Sequence, residues 1–169
     1  MRSTHQTQTM HAIGYDVYWD EKFAATNNVK RAASLDELYA TSDYISLHTN
    51  LTPETRDMIS AKSFSKMKKG VLILNCARGE IVHTADMAEA LKSGQVGGYG
   101  TDVLDEEPPK ADHPFLKLPN VVVTPHIGSR TAESVQRQAT AAVKNLIAAM
   151  RGEKPLAQVN PEVPVKKVV

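Results

Sequence analysis

Val71-Leu72-Ile73-Leu74-Asn75-Cys76-Ala77-Arg78-Gly79 decides the fold of this 169-residue chain. Four aliphatic residues follow one another with no polar residue between them. A strand with one wet face alternates, so this run reads as a parallel strand covered on both faces. Outward from it, four more short apolar runs occupy residues 16–19, 44–47, 96–103 and 121–124.

Helix signals fall between these runs. Ser34-Leu35-Asp36-Glu37 is a capping box, in which Ser34 can satisfy the Glu37 amide and Glu37 can reach back to Ser34. Thr52-Pro53 sets a cap before a proline whose missing N–H costs nothing at a first helical position. Ser60 can cap residues 61–69, closed by Gly70, and Thr84 can cap residues 85–93, closed by Gly94. The longest helix spans 131–151, with Val135, Ala139, Ala142, Leu146 and Ala149 on one stripe and Gly152 after it. Strands alternating with helices imply an α/β domain built on a doubly wound parallel sheet. Residues 153–169, with Pro155, Pro161 and Pro164, lack periodicity and read as an extended tail.

Composition sets the outer limits. Hydrophobic residues make up 41% and charged residues 23% of the chain, as in an ordinary folded domain. Twenty Lys+Arg against nineteen Asp+Glu leave a net charge of +1, so no bulk field draws in nucleic acid or an anionic membrane. Lys166-Lys167 is too short for a nucleic-acid patch. The single cysteine, Cys76, excludes an internal disulfide and fits a reducing, cytoplasmic compartment. No run approaches the ~20 apolar residues of a membrane span, and residues 1–10 lack the apolar core of a secretory signal. His5, His11, His48, His83 and His113 show no spacing that sets two on one helical face, so no metal site is expected.

Three stretches, in order, carry a family resemblance. Asp43-Tyr44-Ile45-Ser46-Leu47-His48 runs into Leu51-Thr52-Pro53-Glu54-Thr55. Leu74-Asn75-Cys76-Ala77-Arg78-Gly79-Glu80-Ile81-Val82 follows. Gly100-Thr101-Asp102-Val103, Glu107-Pro108 and Asn120-Val121-Val122-Val123-Thr124-Pro125-His126-Ile127-Gly128 complete it. Together they resemble the NAD-binding domain of the D-isomer-specific 2-hydroxyacid dehydrogenases, the family of phosphoglycerate dehydrogenase and the glyoxylate/hydroxypyruvate reductases. The motifs cover roughly residues 12–161. They divide the chain into an unmatched segment 1–11, an NAD-binding domain 12–152 and the tail 153–169.

The resemblance implies hydride transfer between NAD(H) and a small D-2-hydroxy or 2-keto acid, on a Rossmann-like fold. That chemistry needs a cation to hold the carboxylate and polarise the carbonyl, and a guanidinium does so with two parallel bonds. It needs a group titrating near neutrality to exchange the hydroxyl proton, and a carboxylate to orient that group and favour its charged form. By similarity these are Arg78, His126 and Glu107. Out of context, Arg78 could equally cap a helix or pair with Glu80, His126 could be a core histidine, and Glu107 could be solvated surface in the acidic run 105–107.

Asp20, taken to end the first strand, is the candidate for the adenosine ribose hydroxyls, and no Arg in the next few residues favours NAD over NADP. From the local residues alone it could equally be an ordinary polar strand end. The resemblance further implies that Thr49 lies along the adenosine. It sets Cys76, Ala77, Asp102 and the stretch His126, Gly128 and Ser129 near the nicotinamide. Cys76 has no neighbour in sequence that would activate a thiolate.

No G-x-G-x-x-G occurs, and residues 1–13 hold no glycine. The expected fold therefore lacks its first strand and phosphate loop, and weak NADH binding follows. Where that strand is central, its loss leaves an apolar gap that altered strand order, another chain or a longer gene would have to account for. Homo-oligomers are expected on this ground. Two other readings compete with an active dehydrogenase: a non-catalytic NAD-responsive binding protein resembling dehydrogenase-like corepressors, and a truncated product without activity.

Overall fold

The computed structural model describes residues 10–165, so the Lys166-Lys167 pair lies outside the described residues. The chain forms two compact units, Met1–Pro125 and His126–Val169. The first unit holds two parallel ladders. Strands β1 (Ala12–Gly14) and β2 (Val29–Arg31) pair with each other, and β3 (Tyr44–Leu47), β4 (Val71–Asn75), β5 (Val96–Thr101) and β6 (Val121–Val123) form a four-stranded sheet in that order. Among the described residues the two ladders stay separate, rather than closing into one sheet of altered order.

The register explains where the core sits. Ile45, Ile73, Tyr99 and Val121 form one row across the larger sheet, and Leu47, Asn75, Thr101 and Val123 form the next on the same face. Helix α2 (Leu35–Thr41), the single turn α3 (Ala61–Phe64) and α4 (Thr84–Ser93) cover this face with Tyr39, Phe64, Met87 and Leu91. The other face carries Tyr44, Leu74 and Val122, which stay 62%, 47% and 68% exposed. The run 71–74 is therefore covered on one side only, which corrects the expectation of burial on both. Its aliphatic residues mark a flat sheet face as much as a buried one: Leu72 and Leu74 lie over Gly98 and Gly100 of the next strand.

Several element boundaries move for local reasons. The first strand is Ala12–Gly14 and not 16–19, because the Asp16 carboxylate accepts the Tyr18 N–H at 2.8 Å and bends the chain there. Strand β2 is three residues long, Val-Lys-Arg, too short and too polar to announce itself. Thr52-Pro53 opens a turn and no helix. The Thr55 hydroxyl takes the Thr52 N–H at 2.8 Å and donates to the Asn50 carbonyl at 2.7 Å, which ties the segment into a knot.

Helix α3 ends at Phe64, ahead of the expected 69. The Gln95 amide donates to the Phe64 and Met67 carbonyls and so replaces the missing helical bonds. Helix α4 starts one residue early, with His83 as its cap. Strand β5 stops at Thr101, whose hydroxyl engages both the N–H and the carbonyl of Val103.

The other caps are as expected. Ser34 accepts the Glu37 N–H at 3.1 Å, though Glu37 reaches back to Ala33 and not to Ser34. Gly70 and Gly94 close their segments at φ of 81° and 74°, a region that side chains other than glycine rarely adopt. In the second unit, helix α5 (Ala132–Met150) is capped by Thr131, which accepts the Ser134 N–H at 3.2 Å. Its stripe of Val135, Val143, Leu146 and Ile147 is exposed.

Candidate active site

The C-terminal ends of β3 and β4 open into a cleft of about 230 Å³ lined by His48, Thr49, Asn50, Cys76, Ala77 and Arg78. In a parallel sheet every strand presents its carboxyl end to the same edge, and ligands gather there. Four of the sequence-predicted site residues, Thr49, Cys76, Ala77 and Arg78, thus meet at one place.

Asn75 builds this edge. It is completely buried at the end of β4. Its side-chain carbonyl accepts the Ala77 N–H at 3.0 Å, and its amide donates to the Arg78 carbonyl at 2.9 Å and to the Tyr99 hydroxyl at 3.3 Å. The tight turn through Cys76 and Ala77 is therefore tied down by its own preceding residue. The small Cys76 and Ala77 side chains leave the strand end open. The Arg78 guanidinium is exposed and donates to the Ala77 carbonyl at 2.6 Å. Among the described residues it makes no ion pair with Glu80.

Asp102, just past β5, is buried. Its N–H donates to the Asn75 carbonyl at 3.0 Å, and its carboxylate accepts the Thr124 hydroxyl at 2.5 Å. Glu107 lies in the loop that follows, its carboxylate accepting the Leu104 N–H at 2.9 Å. The backbone of Leu104 and Asp105 packs directly against Gly79, so a Cβ at Gly79 would fall inside the Leu104 carbonyl and the Asp105 nitrogen. Asp105 pairs with His113, Nε2 to Oδ1, at 3.0 Å. Burial pushes the Asp105 carboxyl up, but hydrogen bonds from His113 and Thr84 outweigh it and hold the group below its ordinary value.

His126, Gly128 and Ser129 belong to the second unit and are exposed. His126 has φ of 52°, a left-handed backbone that costs a non-glycine residue energy and recurs at functional positions. Asp20 does not end a strand. It caps helix α1 (Glu21–Asn27), accepting the Phe23 N–H at 2.9 Å, six residues beyond the end of β1. The acid nearest that strand end is Asp16, which sequence reasoning passes over because it places the strand four residues too late.

The family profile described as D-isomer specific 2-hydroxyacid dehydrogenase, NAD binding domain, matches residues 2–128. The chain belongs to this family. The match takes in residues 2–11, ahead of the first motif. The glyoxylate reductase of Thermofilum pendens is 42% identical over 160 residues, covering 91% of this chain and 47% of that protein. The D-3-phosphoglycerate dehydrogenase of Methanocaldococcus jannaschii is 39% identical, over 94% of this chain and 30% of that protein.

Among solved structures, the D-lactate dehydrogenase with NAD+ from Lactobacillus jensenii superposes with a TM-score of 0.79 at 32% identity. The alignment covers 87% of this chain and 47% of that one. The D-mandelate dehydrogenase of Rhodotorula graminis gives 0.80 at 29% identity, over 88% and 43%. The chain spans about half or less of the length of these relatives. The parallel α/β fold is that of the Rossmann-like domains of this family, and NAD is the cofactor such domains bind.

In this NAD-binding domain two residues missed from sequence each carry a signal. Asn75 sits at the last position of the aliphatic run, where a polar side chain is out of place unless it has partners. Gly79 follows Arg78 in a motif where its lack of a side chain carries the packing. We predict that Gly79→Ala lowers stability by about 3 kcal/mol or more, since backbone cannot yield as a flexible side chain can. Urea unfolding against the unsubstituted protein checks this.

Proposed function

We propose that this chain is the cofactor-binding part of an NAD-dependent oxidoreductase acting on small D-2-hydroxy and 2-keto acids. The observation that carries the reading is the cleft where β3 and β4 end, with an exposed guanidinium on its wall and small residues at its floor. Bound there, NAD would supply or accept the hydride. Arg78 holds the substrate carboxylate through paired N–H donors and draws electron density from the carbonyl. His126 gives the proton to the forming hydroxyl and takes it back in the reverse direction. Glu107 is the carboxylate partner of that acid, as the family resemblance implies. Thr49, Cys76, Ala77, Asp102, Gly128 and Ser129 contribute to the cofactor's surroundings, as the family resemblance implies.

Asp16 is the better ribose acid, because it lies two residues past the end of β1, whereas Asp20 is committed to a helix cap. A single cysteine with an exposed thiol suits a cytoplasmic setting. Exposed Tyr44, Leu74 and Val122 on one sheet face, and the apolar stripe of α5, support a homo-oligomer.

These roles separate in experiment. NADH oxidation with a panel of 2-keto acids reads the activity itself. Arg78→Ala should chiefly weaken keto-acid binding, since the carboxylate contact forms already in the ground state. His126→Ala should lower turnover by about 10²–10⁴. Glu107→Gln should lower turnover less than His126→Ala does, with KM for the keto acid held. NADH binding should survive all three. Intact turnover in His126→Ala would sink the acid–base assignment and favour an NAD-responsive binding protein.

For the ribose, Asp16→Ala should move cofactor preference toward NADPH. Asp20→Ala should leave preference alone and cost about 1 kcal/mol of stability as a lost cap. The opposite pattern would return the role to Asp20. Size-exclusion chromatography should show a dimer or larger species, and a sharp monomer peak would overturn the oligomer.

A further inference from the structure

The segment between β5 and β6 has no strand and only one 3-10 turn, Pro114–Lys117, yet it carries Glu107. Residues 105–112 are exposed. The surface pair Lys110–Glu106, at 3.2 Å, holds little in water. What closes the segment is its base. His113 is 7% exposed, and its Nε2 lies 3.0 Å from an Asp105 oxygen. Its Nδ1 accepts the Phe115 N–H at 3.3 Å, which assigns the proton of the neutral ring to Nε2 and makes Asp105 the acceptor. The imidazole packs edge-to-face on Phe115, at 5.0 Å between centroids, and Phe115 packs on Tyr99 of β5 at 5.2 Å. On the other side, the backbone of Leu104 and Asp105 lies on Gly79.

We propose that Asp105 and His113 are positioning residues: their hydrogen bond clasps the loop 105–113 at its base and so sets the direction of the Glu107 carboxylate. Glu107 stands two residues inside the closed loop and folds back onto the Leu104 N–H, immediately before the clasp. Opening the base frees the backbone on both sides of Glu107, while the core beneath, Phe115 on Tyr99, keeps its packing. The catalytic meaning of the clasp rests on the role proposed above for Glu107; the clasp itself does not.

Hydrogen exchange at the Leu104 amide reads the direction of Glu107 without any turnover. His113→Phe keeps the ring and loses the donor. It should speed exchange at Leu104 by about tenfold, the scale of one bond to a charged acceptor, and leave the β4 amides unchanged. His113→Gln, which can still donate to Asp105, should restore much of the protection. If His113→Phe also opens the β4 amides, Asp105→Ala decides, because Asp105 is at the surface and its removal leaves the core intact.

Unchanged Leu104 protection in either variant with intact β4 amides would overturn the clasp. In NADH-dependent keto-acid reduction, His113→Phe should lower turnover as Glu107→Gln does, with KM for the keto acid held, and His113→Gln should recover much of it. A merely structural loss would lower the active fraction without rescue by His113→Gln. Should Glu107→Gln itself leave turnover unchanged, the role of Glu107 fails, and the exchange result still stands or falls alone.

Discussion

A fully buried asparagine at the end of β4 uses its side chain and its backbone carbonyl inside the protein. The Asn75 side chain takes the Ala77 N–H and gives to the Arg78 carbonyl and the Tyr99 hydroxyl, while its own carbonyl accepts from the Thr101 hydroxyl and the Asp102 N–H. Burying an amide without partners costs a few kcal/mol, so the site can hold only a backbone that satisfies it. That requirement sets the turn carrying Arg78 and draws the end of β5 alongside. The cleft is the space left over once these bonds are made.

The same logic links two loops that are far apart in sequence. Gly79, next to Arg78, accepts the backbone of Leu104 and Asp105 at a distance no side chain would permit. Arg78 and the loop bearing Glu107 are therefore registered by steric contact between main chains. Contact of that kind is stiff, because neither side has a rotamer to change. The Asp105–His113 pair then closes the far side of the loop. The bond favours the ionised form of Asp105, whose pKa its hydrogen bonds hold below the ordinary value against burial. As pH falls through that lowered value, the contribution of the carboxylate to stability is lost.

Strands β3 and β4 are legible in the sequence to the residue, β4 as an uninterrupted aliphatic run and β3 as the short apolar run 44–47. The Arg78, Glu107 and His126 motifs are legible through family resemblance, and the cleft gathers Arg78 with Thr49, Cys76 and Ala77. What stays hidden depends on contacts between distant segments. Strand β2 exists only because β1 lies beside it. Helix α3 stops early because Gln95 captures its carbonyls. The first strand is misplaced from sequence because Tyr15, Val17, Tyr18 and Trp19 look like strand residues, while Asp16 bends the chain through its own side chain. The placement of Asp20 at a strand end fails as a consequence, since Asp20 caps the helix that follows. His113 looks bland because its partner, Asp105, lies within an acidic run that reads as solvated surface.

The larger sheet divides its two faces between different tasks. The contacts that support the candidate site from below run through the helical face, from Tyr99 to Phe115 to His113 and from Tyr99 to Asn75. The opposite face, with Leu72 and Leu74 lying over Gly98 and Gly100, meets the cleft only at its edge, where Ser46 bonds His48. Flatness there comes from the glycines, since a Cβ at Gly100 would meet the Leu74 side chain at 2.8 Å. A flat apolar surface is suited to being covered, and a face dense with hydrogen bonds and edge-to-face rings is suited to holding loops still. Whatever covers the exposed face can therefore change the stability of this domain without passing through the bonds that direct Arg78 and Glu107.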